Sequence, residues 1–238
     1  MDLKLRAAQH QLLRVFAAEA RTFALAGGTA LELYYLHHRF SADVDFFSPK
    51  YDLEEIHHLV TAFRRHFRQA VRLESELMVG GRAKVRFYTM AVKGSIRPLK
   101  IDFVEEVLFP KPAIRRVQGV RVYRVAQIYW QKIAAIAGTR PMVDEVGRVI
   151  TEGRQEARDA FDLYMLSRHV QPLHRVLRRA PGLWQKGLVH WYRTFSRQDL
   201  KLGLMDLEIY DPRFQAGAMI RHLEDEITQF TRAVIEAS

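Results

Sequence analysis

A short apolar run, Phe23-Ala24-Leu25-Ala26, breaks at the glycine pair Gly27-Gly28, and a second strand-like run, Asp43-Val44-Asp45-Phe46-Phe47, follows close behind it. Side chains alternate faces along a strand, so Asp43 and Asp45 point one way while Val44 turns toward a core. A chain written like this folds as strand, turn, helix, strand, with two carboxylates on one rigid edge. The glycines let backbone N–H groups approach phosphate oxygens, and a helix N-terminus behind them adds partial positive charge. Paired carboxylates are what a divalent ion bound to a triphosphate needs. The pattern predicts a nucleotide-handling site, with Thr29 capping a helix that runs through Leu31, Leu33, Tyr34 and Leu36 toward His38.

The remaining periodicities surround this unit with a mixed sheet. Helical spacing of Leu5, Ala8, Leu12, Leu13 and Phe16 predicts a first helix over Leu5–Ala20, and another is expected over about Leu53–Gln69. Alternating segments at Val71–Met78, Lys84–Met90 and Leu99–Val104 read as strands, with turns at Gly80-Gly81 and Gly94-Ser95. Pro110-Lys111-Pro112 marks a boundary; after one more strand, Val120–Tyr123, the pattern is helical almost to the end. The expected fold is α+β: a mixed sheet with flanking helices over residues 1–112, then a mainly α-helical domain over 113–238.

Composition excludes several classes. The 238 residues contain no cysteine, which rules out a disulfide framework, a thiolate zinc site and a cysteine nucleophile. No apolar stretch resembles a signal peptide or a membrane span, so a cytoplasmic, non-membrane protein is expected. The formal charge of +10, most of it arginine, favours a polyanionic partner, above all nucleic acid, over a merely basic surface. The pairs His37-His38 and His57-His58 are adjacent residues that do not face each other on a helix, which argues against a transition-metal site.

Further candidates follow from position. Asp102, in Leu99-Lys100-Ile101-Asp102-Phe103, faces away from its apolar neighbours and could complete a three-carboxylate metal site; the alternative is a solvent-facing aspartate. Lys132 is a lone cation in the apolar run Ala126–Ala135, either reaching a phosphate or snorkelling to solvent. Arg154, Arg158, Asp159 and Asp162 share a helical segment, where spacings of four favour surface ion pairs such as Arg158–Asp162. Arg64, Arg65, Arg68 and Arg72 make a basic stretch that could contact an acceptor or simply be solvated. In the last seventy residues, Trp184, Trp191 and Tyr192 among arginines suit either RNA stacking or a core.

Gly27-Gly28-Thr29-Ala30-Leu31 followed by Arg39-x-Ser41-x-Asp43-Val44-Asp45-Phe46 resembles the AbiEii/AbiGii toxin family of nucleotidyltransferases, part of the DNA-polymerase-β-like superfamily. Lys100-Ile101-Asp102-Phe103, Gln131-Lys132-Ile133-Ala134-Ala135 and Arg158-Asp159-Ala160-Phe161-Asp162 extend the likeness, which spans about Phe23 to Leu166. The resemblance implies a phosphate-binding turn of Gly27, Gly28 and Thr29, with Ser41 beside it. It also implies Asp43 and Asp45 as ligands of Mg²⁺ or Mn²⁺, Lys132 as a nucleotide-contacting lysine and Asp159 as a later catalytic aspartate. The implied activity is transfer of a nucleotide from an NTP to an RNA, most readily the 3′ end of tRNA, by a toxin with a cognate antitoxin. The stretch between Lys132 and Asp159 is longer than the family pattern. Alternatives are transfer to a protein or small molecule, or a nucleotide-binding regulatory module without turnover.

Overall fold

The computed structural model describes residues 2–78, 83–143, 149–151 and 153–236. The chain divides into two compact units, Met1–Ile128 and Tyr129–Ser238. The predicted Gly80-Gly81 turn lies outside the described residues.

In the first unit, α1 (Leu3–Glu19) is capped by Asp2, whose carboxylate accepts from the N–H groups of Lys4 and Leu5, each at 3.0 Å. The chain continues through β1 (Ala24–Ala26), α2 (Gly27–Leu31) and a π-helical turn (Glu32–Leu36) to β2 (Asp43–Ser48). Asp52 caps α3 (Leu53–Phe67), which carries Glu54 and Glu55 in its first turn and arginines in its last, complementing the helix dipole. Strands β3 (Val71–Leu77), β4 (Val85–Met90), β5 (Leu99–Glu105), β6 (Ile114–Val117) and β7 (Val120–Tyr123) complete a seven-stranded sheet in the order β3-β4-β5-β2-β1-β7-β6. The sheet is mixed: β2 runs parallel to β5 and antiparallel to β1, and β1 runs parallel to β7.

One face of this sheet is the core. Phe46 stacks on Phe16 of α1 with centroids 3.9 Å apart, and lies 6.5 Å from Phe63 of α3 and 5.6 Å from Phe103 of β5. Val44, Phe46, Ile101 and Phe103 are all fully buried there, each contributing about 1.5–3 kcal/mol of hydrophobic stabilisation. The alternation that buries them turns Asp43, Asp45 and Asp102 to the opposite face.

Strand β6 has no counterpart in the sequence reading. Its turn is Gln118-Gly119, with φ of 50° and 83°, the double positive φ that a two-residue hairpin needs. A glutamine in the first position and Arg115-Arg116 in the strand hide this signal. The second unit, after α4 (Val125–Ala137), holds a small hairpin of β8 (Pro141–Val143) and β9 (Val149–Thr151). Five helices follow: α5 (Ala157–His169), α6 (Leu173–Leu177), α7 (Gly182–Thr194), α8 (Arg197–Met205) and α9 (Ala216–Glu236).

Candidate active site

The glycine turn is built against the carboxylate strand. Ala26 pairs with Asp45, so Gly27 leaves β1 directly over that aspartate. Gly27 has φ +67°, and a Cβ there would overlap Asp45 Oδ2 and stand 3.1 Å from Asp45 Cγ. A Cβ on Gly28 would meet Ser41 Oγ and an Arg39 guanidinium nitrogen, each at 2.8 Å. Both positions are crowded, and Gly27 also needs glycine for its left-handed backbone. Gly27, Gly28, Ser41 and Asp45 thus converge.

Thr29 takes a different role from the predicted cap. Ala26 is the N-cap and makes no side-chain cap bond, while Thr29 is fully buried. Its hydroxyl donates to the carbonyl of Asp43 and, at 3.4 Å, to that of Ser41. Thr29 therefore ties the turn to the strand that carries the carboxylates. The five-residue α2 passes at once into the π-helical turn.

Strands β2 and β5 place Asp45 opposite Asp102 and Asp43 opposite Lys100. The three aspartates share a face, yet among the described residues no three acidic or imidazole side chains come close enough to hold an ion by themselves. The donor set still fits Mg²⁺, a hard ion that takes one or two carboxylates and completes its shell with water and substrate phosphates. Asp43 and Asp45 are the residues that could supply such a partial shell, on the strand that the glycine turn packs against.

In the second unit the predicted Lys132 and Asp159 meet. Lys132 Nζ donates to Asp159 Oδ1 at 2.6 Å and pairs with Asp162 Oδ2 at 2.7 Å. Side-chain exposure of 10%, 1% and 0% marks this as a buried triad, so Asp162 is no surface residue; Arg158 pairs with Glu156. Asp159 and Asp162 lie three apart on α5 and face one way. A Cβ on Gly153 would overlap the carbonyl oxygens of Ala135 and Ile136, and Arg154 N–H donates to Ala135 O at 2.7 Å. This docks the return from the hairpin onto the end of α4 and delivers Asp159 to Lys132. Burial would raise the Asp159 carboxyl, but the charges of Lys132 and Arg154 and the Lys132 hydrogen bond outweigh it and hold the group below the usual carboxylate value.

Other candidates resolve toward packing. Trp191 is buried with its ring centroid 5.4 Å from that of Phe195, whereas Trp184 is half-buried beside Trp130. Arg64 donates to Val71 O at 2.6 Å, stapling α3 to β3; Arg65, Arg68 and Arg72 stay exposed. His58 pairs with Glu19 at 2.7 Å, and no histidine joins a metal-ligating group among the described residues. No described helix is long and apolar enough to cross a membrane.

A glycine turn packed on a two-aspartate strand of a mixed sheet, with helices on its opposite face, is a nucleotidyltransferase-type fold. The Nucleotidyl transferase AbiEii toxin family, of type IV toxin–antitoxin systems, matches residues 11–232, and the chain belongs to this family. It is accordingly a nucleotidyltransferase, and the match reaches well past Leu166, taking in most of the C-terminal helices. Two solved Helicobacter pylori structures share the fold at 16% identity. A candidate nucleotidyltransferase superposes with a TM-score of 0.60, over 99% of this chain and 97% of that one. JHP933 does so with a TM-score of 0.57, over 100% and 97%. No curated protein matches the sequence.

Proposed function

We propose that this toxin-family enzyme transfers a nucleoside monophosphate from an NTP to the 3′ end of an RNA, with tRNA as the acceptor and a divalent metal ion as cofactor. The observation that carries the reading is the contact of Gly27 and Gly28 with Asp45 and Ser41, a cradle that any Cβ would fill. Backbone N–H groups of the turn and the Ser41 hydroxyl bind the triphosphate, while Asp43 and Asp45 hold the ion. When bound, that ion supplies Lewis-acid activation and neutralises charge on the triphosphate. The acceptor 3′-oxygen forms a bond to the α-phosphorus, the bond from that phosphorus to the bridging oxygen breaks, and pyrophosphate leaves. The hydroxyl proton passes to solvent or a carboxylate. Lys132 offsets charge on the transferring group, and Asp159 holds the Lys132 ammonium in place. The arginine-rich charge of +10 supports a nucleic-acid acceptor, and membership of a toxin–antitoxin family supports a cognate antitoxin protein as partner.

The test is label transfer from each α-labelled NTP, with Mg²⁺ and total tRNA, beside an Asp43→Ala/Asp45→Ala control. Label on tRNA that disappears in the control is the expected result. Label on protein or a small molecule would move the acceptor. Nucleotide binding without transfer to anything would leave a regulatory module in place of the transferase.

A further inference from the structure

The loop that carries Ser41 into Asp43 is held by side chains from outside both the glycine turn and the carboxylate strand. Ser41 N–H donates to Glu32 Oε2 at 2.8 Å. Gln9 Nε2 donates to Ser41 O at 2.8 Å and to Ala42 O at 2.9 Å. Residues 40–42 belong to no strand, so backbone groups that a ladder would satisfy are taken by these side chains and by Thr29. Glu32 and Gln9 are buried, at 2% and 0% exposure, where an apolar residue would cost less desolvation. Arg6 pairs with Glu32 and lies over the Phe40 ring, 4.6 Å from its centroid, closing the clamp from α1. Glu32 also opens the π-helical turn, a local widening that is frequent near functional sites.

We infer that Glu32 and Gln9 are positioning residues for nucleotidyl transfer. They fix Ser41 and Asp43 against the Gly27-Gly28 turn, and Arg6 keeps the Glu32 carboxylate aimed at the Ser41 amide. This rests on the transferase reading of the same site. The rival role is plain structural capping, for which the first unit contains a matched control. Glu55 is equally buried, at 5%, and its carboxylate accepts from the N–H groups of Arg21 and Thr22, at 2.7 and 2.9 Å, at the start of β1.

The experiment compares full-length Glu32→Ala, Glu32→Gln, Gln9→Ala and Glu55→Ala with the parent. It measures thermal unfolding, initial rates over NTP concentration with Mg²⁺ and tRNA, and NTP affinity by calorimetry. Glu32→Ala and Gln9→Ala are expected to lower kcat roughly 10- to 100-fold, the scale of a small misplacement of reacting groups. Glu55→Ala is expected to lose stability with kcat unchanged below its Tm. Glu32→Gln keeps an oxygen for the Ser41 amide, so it recovers most of kcat while staying destabilised, because Arg6 loses a charged partner. Wild-type kcat in Glu32→Ala, or equal kcat loss in Glu32→Ala and Glu55→Ala, would overturn the inference. Should Glu32→Ala fail to fold, Gln9→Ala carries the same comparison. A parent protein that transfers nothing defeats the transferase reading instead. The affinities then decide: NTP binding weakened by Glu32→Ala or Gln9→Ala but not by Glu55→Ala supports the clamp, and equal affinities reject it.

Discussion

Gly27 and Gly28 are neighbours with different physical obligations, and substitution separates them. Alanine at Gly27 meets a left-handed backbone, costing roughly 1–2 kcal/mol, and its methyl overlaps the Asp45 carboxylate. Alanine at Gly28 meets only Ser41 Oγ and the Arg39 guanidinium, both able to shift by a few tenths of an ångström. Gly27→Ala is therefore expected to lower Tm and to reduce kcat/KM by roughly 10²-fold. Gly28→Ala is expected to fold nearly normally and chiefly raise the KM for NTP. Thermal unfolding beside steady-state kinetics checks this, and equal destabilisation by the two would defeat the steric account. The turn was legible because a glycine pair that ends an apolar run marks a break in the strand whatever packs against it. The Thr29 role was not, because its partners Ser41 and Asp43 lie on the far side of the π turn, and a hydroxyl after glycines looks the same as a cap.

At the scale of elements, the buried Lys132–Asp159–Asp162 triad ties α4 to α5 within the second unit. The Asp159 carboxyl titrates below its ordinary value of 3.8, so below that pH the unfolded chain binds more protons than the folded one. Its stabilisation is complete above pH 3.8 and is lost as pH falls through the lowered folded value. Asp159→Asn should make stability less steep in pH on the acid side of 3.8, with a lower plateau at neutral pH; denaturant melts at a series of pH values measure it. An unchanged acid slope would place the proton-linked stability elsewhere. Sequence position left Lys132 between reaching a phosphate and snorkelling to solvent, the family likeness alone singled out Asp159, and Asp162 was read as a surface partner of Arg158. The missing information was non-local: Gly153 packs on the carbonyls of α4 and sets the register of α5 against Lys132. The strand carrying Asp43 and Asp45 was legible because its alternation is local, whereas β6 was hidden by a Gln-Gly turn.

Across the whole molecule, titration and charge give the last two expectations. Burial pushes the Tyr51 hydroxyl up to about 12, and raises those of Tyr123 and Tyr129 as well. Raised folded values stabilise fully below the ordinary value of 10.0 and cease to do so as pH climbs through them, so melting temperature should fall steeply above pH 10. Tyr51→Phe should soften that fall, and a fall indifferent to Tyr51 would exclude it as a source. Charge acts over longer range. Arg64 staples a carbonyl, but Arg65 of α3, Arg68 at its C-cap and Arg72 of β3 remain exposed. If the acceptor is RNA, each phosphate contact releases counterions, and log affinity falls with log salt by about 0.7 per contact for single strands. Binding of tRNA should therefore weaken at least about tenfold between about 50 and 200 mM KCl. The Arg65→Ala/Arg68→Ala variant should bind more weakly and lower the slope by about 0.7 per lost contact, with little change in NTP affinity. Fluorescence anisotropy of labelled tRNA across KCl reads both quantities. An unaltered slope in the variant would return these arginines to a merely solvated face, while salt-independent binding would remove nucleic acid as the reason for the basic surplus.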